Sequence, residues 1–470
     1  MNQTVELNTV QTTARNVPMP APDPASITWA NSFAKSAPLI RGRIPGPKSL
    51  ALHQRCKSRE FGIFPWVEKS PIGFASGAGV TLDDVDGNRY IDITHGHMGA
   101  ALGHANPEII AAVEGQIRKF SHLRNNPTEI RAELMERLAK ITPGDLNLFA
   151  FYSSGTEATE AAMRVARAVT GGHEFVSFYG DYHGRTTGAT ATSFGYPMTG
   201  PRLGGFVTVP NGHCHRCEFG LEPTTCKLHC VEFAERAIRV NSHGALAGII
   251  AEPITNASGA RVFPAGYLKG LRDIADRTGA LLIFDEHATG LGRTGKMWAG
   301  DHEQVVPDVI FFGKYLGNGY PITVVATRER YRDVLAMEGQ SSTHGGQPVA
   351  CAAALATLDI LERDNLVDHA ARTGAVCMEF MKGVEVRHDV VGVAQGRGFQ
   401  MAYEFVDPHT GQLSSKIADE VFVACMERGV CPSLVGPTIR VSPMMVASEA
   451  TIIKAYGIVE DAIADVERRL

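Results

Sequence analysis

The chain has 470 residues, 44% of them hydrophobic, and is long enough to bury a large core in two or three lobes. Its 45 basic and 50 acidic residues give a net charge of −5, which argues against nucleic acid or an anionic membrane as partner and favours small molecules. No stretch approaches the roughly 20 apolar residues of a membrane span, and the first residues lack a signal-peptide pattern, so we expect a cytoplasmic protein.

The N-terminal part of the chain divides into two predicted segments. Residues 1–45 are polar and interrupted by prolines, which predicts a flexible extension or a strap over a partner subunit. Residues 46–98 contain two β-rich runs on either side of Asp86 and Gly87, a dipeptide typical of a tight hairpin turn. We therefore expect residues 46–98 to form the N-terminal part of a small lobe.

Residues 99–344 are predicted to form a large α/β domain. Short apolar strands alternate there with helical stretches, which indicates a mostly parallel, seven-stranded sheet covered by helices. The predicted strands are "LFAFYSS", "EFVSFYG", "GFVTVP", "LAGIIAEPI", "LLIFDEH", "VIFFGK" and "PITVVATR". Residues 345–470 begin with a strongly helical pattern and then alternate helix with strand. They are predicted to form a C-terminal small domain that pairs with the N-terminal hairpin.

The turn "SSGTE" is the first candidate binding feature. Ser154, Gly155 and Thr156 lie at the start of a predicted helix, where free N–H groups and the positive end of the helix dipole suit a phosphate. An ordinary helix cap explains the same residues, because serine and threonine are common caps. The turn alone leaves both interpretations open.

Lys314 and Asp285 each end an apolar strand, at the edge of a parallel sheet where ligands bind. A partly desolvated lysine in such a place can act as a Schiff-base nucleophile, although a solvated surface lysine is the alternative. The two residues together are what a pyridoxal cofactor requires. Its ring nitrogen needs a carboxylate, and its aldehyde needs an amine.

Several further motifs follow one another from about residue 45 to the C-terminus. They are "DVDGNRYID", "SSGTEATEAAMRVAR", "YHGRTTGA", "AEP", "FDEHATGLGRTGKMWAGDHEQVVPDVIFFGKYLGNGYPI", "GGQPVACAAALA" and "IRVSP". In this order they resemble the class III (subgroup II) aminotransferases, which include 4-aminobutyrate, ornithine and glutamate-semialdehyde enzymes, and several ordered motifs are far more specific than one. The resemblance implies fold type I and pyridoxal 5'-phosphate. It also implies transfer of an amino group between an amine or amino acid and a keto or aldehyde partner.

The resemblance also implies roles for individual residues. Lys314 would form the Schiff base with the cofactor and move the proton, and Asp285 would pair with the pyridine nitrogen. The other cofactor-binding residues would be Ser154, Gly155 and Thr156 at the phosphate, Tyr182 on the ring, and His183, Glu252, His287 and Thr343. Thr343 would reach across a dimer interface into the neighbouring site. A homodimer would then be the minimum functional unit, and a tetramer stays open.

Two positions after Asp285 depart from the family pattern. Relatives normally have a small aliphatic residue two positions after the aspartate, where this chain has His287. They normally have a glutamine at the next position, where this chain has Ala288. The resemblance implies that His287 brings an imidazole to the ring face opposite Tyr182. It also implies that Ala288 cannot bond the ring hydroxyl as the glutamine would.

Three other residues are candidates for binding the substrate. His97 occupies a usually aliphatic position that faces the substrate in relatives, and with His287 it predicts a polar substrate or an additional acid–base group. His95 is interpreted as a structural histidine. Arg440 matches an arginine that holds the α-carboxylate in relatives, and Arg185 matches one that holds a distal carboxylate, since a guanidinium binds a carboxylate in bidentate geometry.

An alternative reaction stays open at this stage. Relatives that use glutamate as a second substrate carry a glutamate that neutralises the α-carboxylate arginine, and this chain has Ala257 at that position. A racemase, an aminomutase or an eliminating, dehydratase-type enzyme with the same cofactor would account for this change. A non-catalytic scaffold is disfavoured because Lys314, Asp285 and the phosphate turn are all retained.

Nine cysteines in a chain of this length do not suggest a disulfide scaffold, but the insert at residues 213–230 is rich in them. Its four cysteines have the short spacings found in zinc or iron–sulfur sites. They are Cys214, Cys217, Cys226 and Cys230. The alternatives are an interface loop with free thiols or a redox disulfide, and any metal would be structural and far from Lys314.

Overall fold

The structure is a computed structural model that describes residues 24–123, 126–193, 203–336, 339 and 342–470. In chain order the strands are β1 (Phe74–Ala78), β2 (Thr81–Asp84), β3 (Arg89–Asp92), β4 (Leu146–Tyr152), β5 (Glu174–Phe178), β6 (Phe206–Val209), β7 (Leu246–Ala251), β8 (Leu281–Asp285), β9 (Val309–Phe312), β10 (Thr323–Arg328), β11 (Val391–Arg397), β12 (Gln400–Phe405), β13 (Val430–Cys431), β14 (Ser433–Val435) and β15 (Thr438–Arg440). The longer helices are Ala25–Ser32, Pro47–Lys57, Pro107–Ile117, Glu129–Ile141, Gly155–Thr170, His229–Asn241, Tyr267–Thr278, Pro348–Arg363, Leu366–Arg387, Ser415–Glu427 and Glu449–Glu467. Shorter helices span Pro65–Lys69, Thr187–Thr192 and Arg332–Leu335.

The large sheet has seven strands in the order β4-β10-β9-β8-β7-β5-β6. Strands β6, β5, β7, β8 and β9 pair in parallel, and β10 runs antiparallel to both β9 and β4. These strands lie in the segments predicted from the sequence, so the mostly parallel, seven-stranded α/β sheet is confirmed. Helices cover both faces because alternate residues of each strand point to opposite sides. Ile283 packs with helix Gly155–Thr170, whereas Leu282 packs with helix Tyr267–Thr278.

Two smaller sheets have the orders β1-β2-β3-β13 and β11-β12-β15-β14. The predicted hairpin forms between β2 and β3, and Gly87 in its turn has a φ of 90°, which a glycine adopts without strain. Strand β13 joins this hairpin in parallel, with Val430 opposite Ile91. The predicted pairing of the C-terminal part with the N-terminal hairpin is therefore confirmed. The domain boundaries at residues 46, 99 and 345 stay predictions.

The flexible extension predicted for residues 1–45 is wrong for its second half, and residues 1–23 lie outside the described residues. Residues Ala25–Ser32 form a helix whose Ile27 and Ala30 side chains are fully buried. Leu39 exchanges two backbone hydrogen bonds with Arg89 of β3, at 2.9 and 2.8 Å. The prolines and polar residues of this segment concealed a short apolar face that packs on the small lobe. In the described part of the chain, no helix has the length and apolar character to cross a membrane.

Candidate active site

A cavity of about 590 Å³ opens at the carboxyl edge of the large sheet, a volume typical of sites for small molecules. Four parallel strands deliver residues to it, because β5, β7, β8 and β9 all end at this edge. Most of the predicted site residues line it. They are Ser154, Gly155, Thr156, Tyr182, His183, Arg185, Glu252, Asp285, His287 and Lys314. The sheet therefore brings together residues that are far apart in the sequence.

The turn after β4 is a helix cap and also part of the cavity wall, the two roles that the sequence left open. Ser154 caps the helix, since its Oγ accepts from the Glu157 amide at 3.4 Å while Glu157 Oε2 accepts from the Ser153 and Ser154 amides at 3.0 Å. The same turn lines the cavity, and the buried Oγ of Ser153 has no hydrogen-bond partner among the described residues. The helix start therefore retains free polar groups for an anion.

Asp285 lies at the bottom of the cavity between two histidines. Its Oδ2 is 2.8 Å from His183 Nδ1, and its Oδ1 accepts from the His287 amide at 3.0 Å. Burial alone would raise the pKa of Asp285, but the hydrogen bonds and charges of His183 and His287 hold it below the usual value. Asp285 is therefore an ionised, buried carboxylate, the form that can hold a pyridine nitrogen protonated.

Two further carboxyl groups lie behind Asp285. The Glu252 amide donates to Asp181 Oδ2 at 3.1 Å, and Glu252 Oε2 accepts from the Tyr182 amide at 3.2 Å. Burial and the charges of Asp181 and Asp285 raise the pKa of Glu252 well above its usual value, and burial raises that of Asp181 to about 7. Asp181 lies 3.8 Å from His183 Nε2 and was not predicted, because it has no motif of its own.

Lys314 follows β9 and is half-buried at the cavity wall. Burial and the positive charge of Arg440 lower the pKa of its amine to about 8, although Asp285 and Glu252 act in the opposite direction. A lysine with such a pKa has a neutral, nucleophilic fraction near neutral pH. The structure therefore favours the partly desolvated site expected from the sequence over the solvated alternative.

His97 and Arg440 lie beside the cavity and contact each other. Arg440 Nη2 donates to His97 Nδ1 at 3.2 Å and to Ser433 Oγ at 2.7 Å, and Arg440 Nη1 donates to Asn256 Oδ1 at 3.0 Å. Asn256 lines the cavity. The residue that contacts the arginine is Asn256 and not its buried neighbour Ala257. Ser433 and Asn256 were not predicted, because neither belongs to a recognisable sequence pattern.

The remaining predicted residues differ in their surroundings. Arg185 is exposed, donates from Nε to the Tyr182 hydroxyl at 3.1 Å, and places its guanidinium over the Phe64 ring at 5.0 Å. Thr343 is exposed and is not among the residues lining the cavity. Ala288 lines the cavity. The side chain of His95 lies outside the described residues.

His287 packs its ring against the start of helix Gly155–Thr170. A Cβ at Gly155 would lie 2.8 Å from His287 Nε2, so any larger residue there would require the imidazole to move. Both ring nitrogens are buried and make no hydrogen bond within the described ranges, although Nδ1 is 3.4 Å from Asp285 Oδ1. Such groups are expected to bond a ligand or water. This placement was not predicted, because it depends on the space that Gly155 leaves.

The cysteines of the insert line a second, small cavity of about 20 Å³, together with His213 and His229. All four cysteines of the insert are free thiols, and burial raises the pKa of Cys230 to about 11. In the part of the chain that the structure describes, no three His, Cys, Asp or Glu side chains are arranged to hold a metal ion. The metal considered for Cys214, Cys217, Cys226 and Cys230 is therefore not supported. Cys230 is the second residue of helix His229–Asn241, whereas Cys214 lies on a separate 3-10 turn.

The cavity fits pyridoxal phosphate on its chemistry. It offers an ionised carboxylate in Asp285 and a lysine with a lowered pKa in Lys314. The free Oγ of Ser153 lies at a helix start, where a phosphate is stabilised by the dipole and by free N–H groups. The aromatic ring of Tyr182 also lines the wall.

Comparisons with known proteins agree with this site. The family model described as "Aminotransferase class-III" matches residues 65–463. The acetylornithine aminotransferase of Methanopyrus kandleri is 33% identical over 84% of this chain and 94% of its own length. The leucine/methionine racemase of Thermococcus litoralis is 31% identical over 86% of this chain and 94% of its own length. A crystallised (S)-enantioselective omega-transaminase from Thermomicrobium roseum has a TM-score of 0.83 and 28% identity, with 89% of this chain and 98% of that chain covered.

The chain belongs to the class III aminotransferases, with the fold of the type I pyridoxal-phosphate enzymes. It is an enzyme that uses pyridoxal phosphate to transfer an amino group, and its reactants are an amino substrate and a keto partner. The family and the cofactor predicted from the sequence are therefore confirmed.

Proposed function

We propose that this enzyme transfers the amino group of a carboxylate-bearing amino acid to a 2-oxo acid, with Lys314 and Asp285 as catalytic residues. One observation carries the proposal. Lys314 and Asp285 share a cavity beside the guanidinium of Arg440, which hydrogen bonds to Asn256, Ser433 and His97 hold in place. A guanidinium fixed in this way beside the cavity can bind a substrate carboxylate.

The side chains divide the chemistry between them. Pyridoxal phosphate, when bound, supplies an aldehyde for the amino group and a ring that takes up the electron pair released at the α-carbon. Asp285 would accept the hydrogen bond of the protonated ring nitrogen and would keep that nitrogen charged. Lys314, in its neutral form, would accept the proton of the substrate α-carbon and would deliver it to a carbon of the cofactor.

Other residues hold the reactants in place. Gly155 and Thr156 would donate their backbone N–H groups to the phosphate at the helix start, together with the hydroxyl of Ser153. Tyr182 would pack on one face of the cofactor ring and His287 on the other. His183 orients the Asp285 carboxylate through its 2.8 Å hydrogen bond, and Glu252 supports the Tyr182 backbone.

A single-turnover experiment tests the reaction. Cofactor-loaded protein is mixed in turn with L-glutamate, L-alanine and simple amines, while the cofactor absorbance and the keto product are followed. We expect an amino acid to convert the cofactor to its amine form with one equivalent of keto acid. An absorbance change without keto acid would refute transamination.

A racemase is the second candidate. It is favoured by the 31% identical relative named leucine/methionine racemase and by His287, which lines the same cavity as Lys314 and whose ring makes no hydrogen bond within the described residues, so that it would add an acid–base group. The same mixtures discriminate, because a racemase inverts the amino acid and releases no keto acid. Inversion without keto acid would establish this candidate in place of the first.

We predict that Arg440→Gln raises KM for amino acids about 100-fold, because a buried charge-assisted contact to the carboxylate is lost. Its effect on amines without a carboxylate should be small. The matched control is Arg185→Gln, which removes an exposed guanidinium and should raise KM only for substrates with a second, distal carboxylate. Steady-state kinetics on both variants provide the measurement, and an equal loss on amines and amino acids would contradict the assignment.

We also propose a homodimer, with Thr343 contributing to the partner's site and a tetramer left open. Large apolar side chains are exposed on and after helix Pro107–Ile117, at Ile110, Ile117 and Phe120. The loop of Thr343 adjoins this surface, since the rings of His122 and His344 lie 4.8 Å apart. An exposed apolar patch of this kind marks an interface.

Ile117→Lys should raise the dimer dissociation constant by about 100-fold, since a lysine ammonium would be buried without a partner. Val386→Lys is the control, because Val386 is 85% exposed elsewhere on the surface. Sedimentation as a function of concentration gives the measurement. An unchanged dimer in the Ile117 variant would show that the interface lies elsewhere.

We propose the cytoplasm as the compartment of this protein. Its nine cysteines are free thiols, which fits a reducing compartment.

A further inference from the structure

His97 stands on an unusual piece of backbone. Gly96, His97 and Met98 follow one another with φ values of 63°, 55° and 72°, in the left-handed region that residues other than glycine rarely adopt. The Met98 amide donates to the Thr94 carbonyl at 2.8 Å, and the Met98 side chain is buried, so packing holds the turn in this conformation. Strain of this kind is retained where the placement of a side chain matters.

The hydrogen bonds of the ring assign its tautomer. Arg440 Nη2 and Ser433 Oγ each lie 3.2 Å from His97 Nδ1. A guanidinium can only donate, so Nδ1 must present a lone pair, and in the neutral ring the proton is then on Nε2. The Ser433 hydroxyl agrees with this tautomer. Its Oγ accepts from Arg440 at 2.7 Å, so its own proton can be donated to His97 Nδ1.

The ring is also fixed in orientation and neutral in charge. Its centroid is 4.9 Å from that of Trp66. Burial and the positive charges of Arg440 and Lys314 lower the pKa of His97 to about 4, while Asp92 acts weakly in the opposite direction. The imidazole therefore does not change its charge around neutral pH. This argues against the acid–base role that was one of two expectations for His97.

His97 lies beside the cavity, since its chain neighbours line the cavity while the ring itself is not among the lining residues. Both hydrogen bonds of the ring within the described residues are at Nδ1, which leaves Nε2 without a protein acceptor there. Gly96 and Gly99 on either side of His97 line the cavity, as does Asn256 on the other side of Arg440. The ring is half-buried rather than sealed in the core.

We propose that His97 is a specificity-determining residue, a tautomer-locked hydrogen-bond donor whose Nε2–H binds the substrate carboxylate beside Arg440. The assignment rests on the proposed function, in which that carboxylate is the group Arg440 recognises. Because Nδ1 is occupied by Arg440 and Ser433, the ring cannot rotate without losing both contacts. The donor is therefore presented at no further conformational cost.

Binding measurements test the assignment without turnover. An unreactive carboxylic acid and its uncharged carboxamide are titrated calorimetrically into cofactor-loaded protein. His97→Leu should weaken the acid about tenfold or more and change the amide much less, because only the acid gains a charge-assisted bond. His97→Gln retains an N–H donor and should recover part of the loss. Equal weakening of both ligands, or no weakening, would overturn the proposal.

A second measurement needs no variant. The ¹⁵N shifts of the imidazole nitrogens in wild-type protein should show the neutral Nε2–H form without titration between pH 6 and 9. A titrating ring, or the opposite tautomer, would overturn the assignment even if His97→Leu fails to fold. Failure of the proposed function would appear separately. Wild-type protein that binds the acid no more tightly than the amide would refute carboxylate recognition by Arg440, whereas a preference for the acid that His97→Leu leaves unchanged would refute only the role of His97.

Discussion

Replacement of Lys314 by alanine is expected to abolish transamination. The side chain serves both as the amine that holds the cofactor and as the base at the α-carbon, and no other lysine lines the cavity among the described residues. Loss of a proton-transfer group alone costs up to about 10⁴-fold, and loss of the covalent attachment adds to this. We therefore expect kcat/KM to fall by at least about 10⁴-fold. Steady-state assays with the donor found in the single-turnover experiment provide the measurement.

The control for this variant is Lys296→Ala, which removes an exposed lysine from the loop after β8. Its activity should match that of the wild type. Circular dichroism and thermal unfolding should show that Lys314→Ala retains the fold. Residual activity above about 1% would mean that another group performs the proton transfer, since less than a hundredfold loss is below the usual contribution of a catalytic acid or base.

The lowered pKa of Lys314 also predicts a pH dependence. The neutral amine is the reactive form, and its fraction rises with pH through the pKa of about 8. Covalent attachment of pyridoxal phosphate to the cofactor-free protein should therefore accelerate from pH 6.5 to 8 and level off above it. A rate that keeps rising to pH 10 would indicate an ordinary, solvated lysine.

The sequence was sufficient for the features that depend on local pattern. The strands of the large sheet are continuous apolar runs because both of their faces are buried, so their number and their carboxyl ends could be predicted. Lys314 and Asp285 followed from this, since each is the polar residue that ends such a run. The left-handed turn at His97 could not be predicted, because it depends on packing around Met98.

Contacts between distant parts of the chain could not be predicted, because no local sequence pattern indicates them. Asn256 follows β7 and Ser433 lies on β14, and only the packing of the lobes brings both to Arg440. Asp181 was overlooked for a related reason, because a single acid in a loop gives no indication that it will be buried next to His183. The cysteine spacing in the insert indicated a metal, yet the four cysteines line one small cavity without forming a group of three metal-ligating side chains within the described residues.

Asp285→Asn is expected to have the second largest effect, a loss of about 10³-fold in kcat/KM. An amide has no charge to keep the cofactor nitrogen protonated, and it also leaves His183 and His287 facing a neutral group in a buried place. The visible spectrum of the bound cofactor and its dissociation constant should both change, because the lost contact is to the ring itself.

Glu286→Gln is the matched control for Asp285→Asn. Glu286 is equally buried, but its oxygens accept from the Thr289 hydroxyl and the Gly300 amide, away from the cavity. Burial raises the pKa of Glu286 to about 7, so the carboxyl is already partly protonated at neutral pH and glutamine is a close substitute. Its activity should stay near that of the wild type. Equal losses in the two variants would show that a buried acid at the end of β8 supports the fold rather than the cofactor.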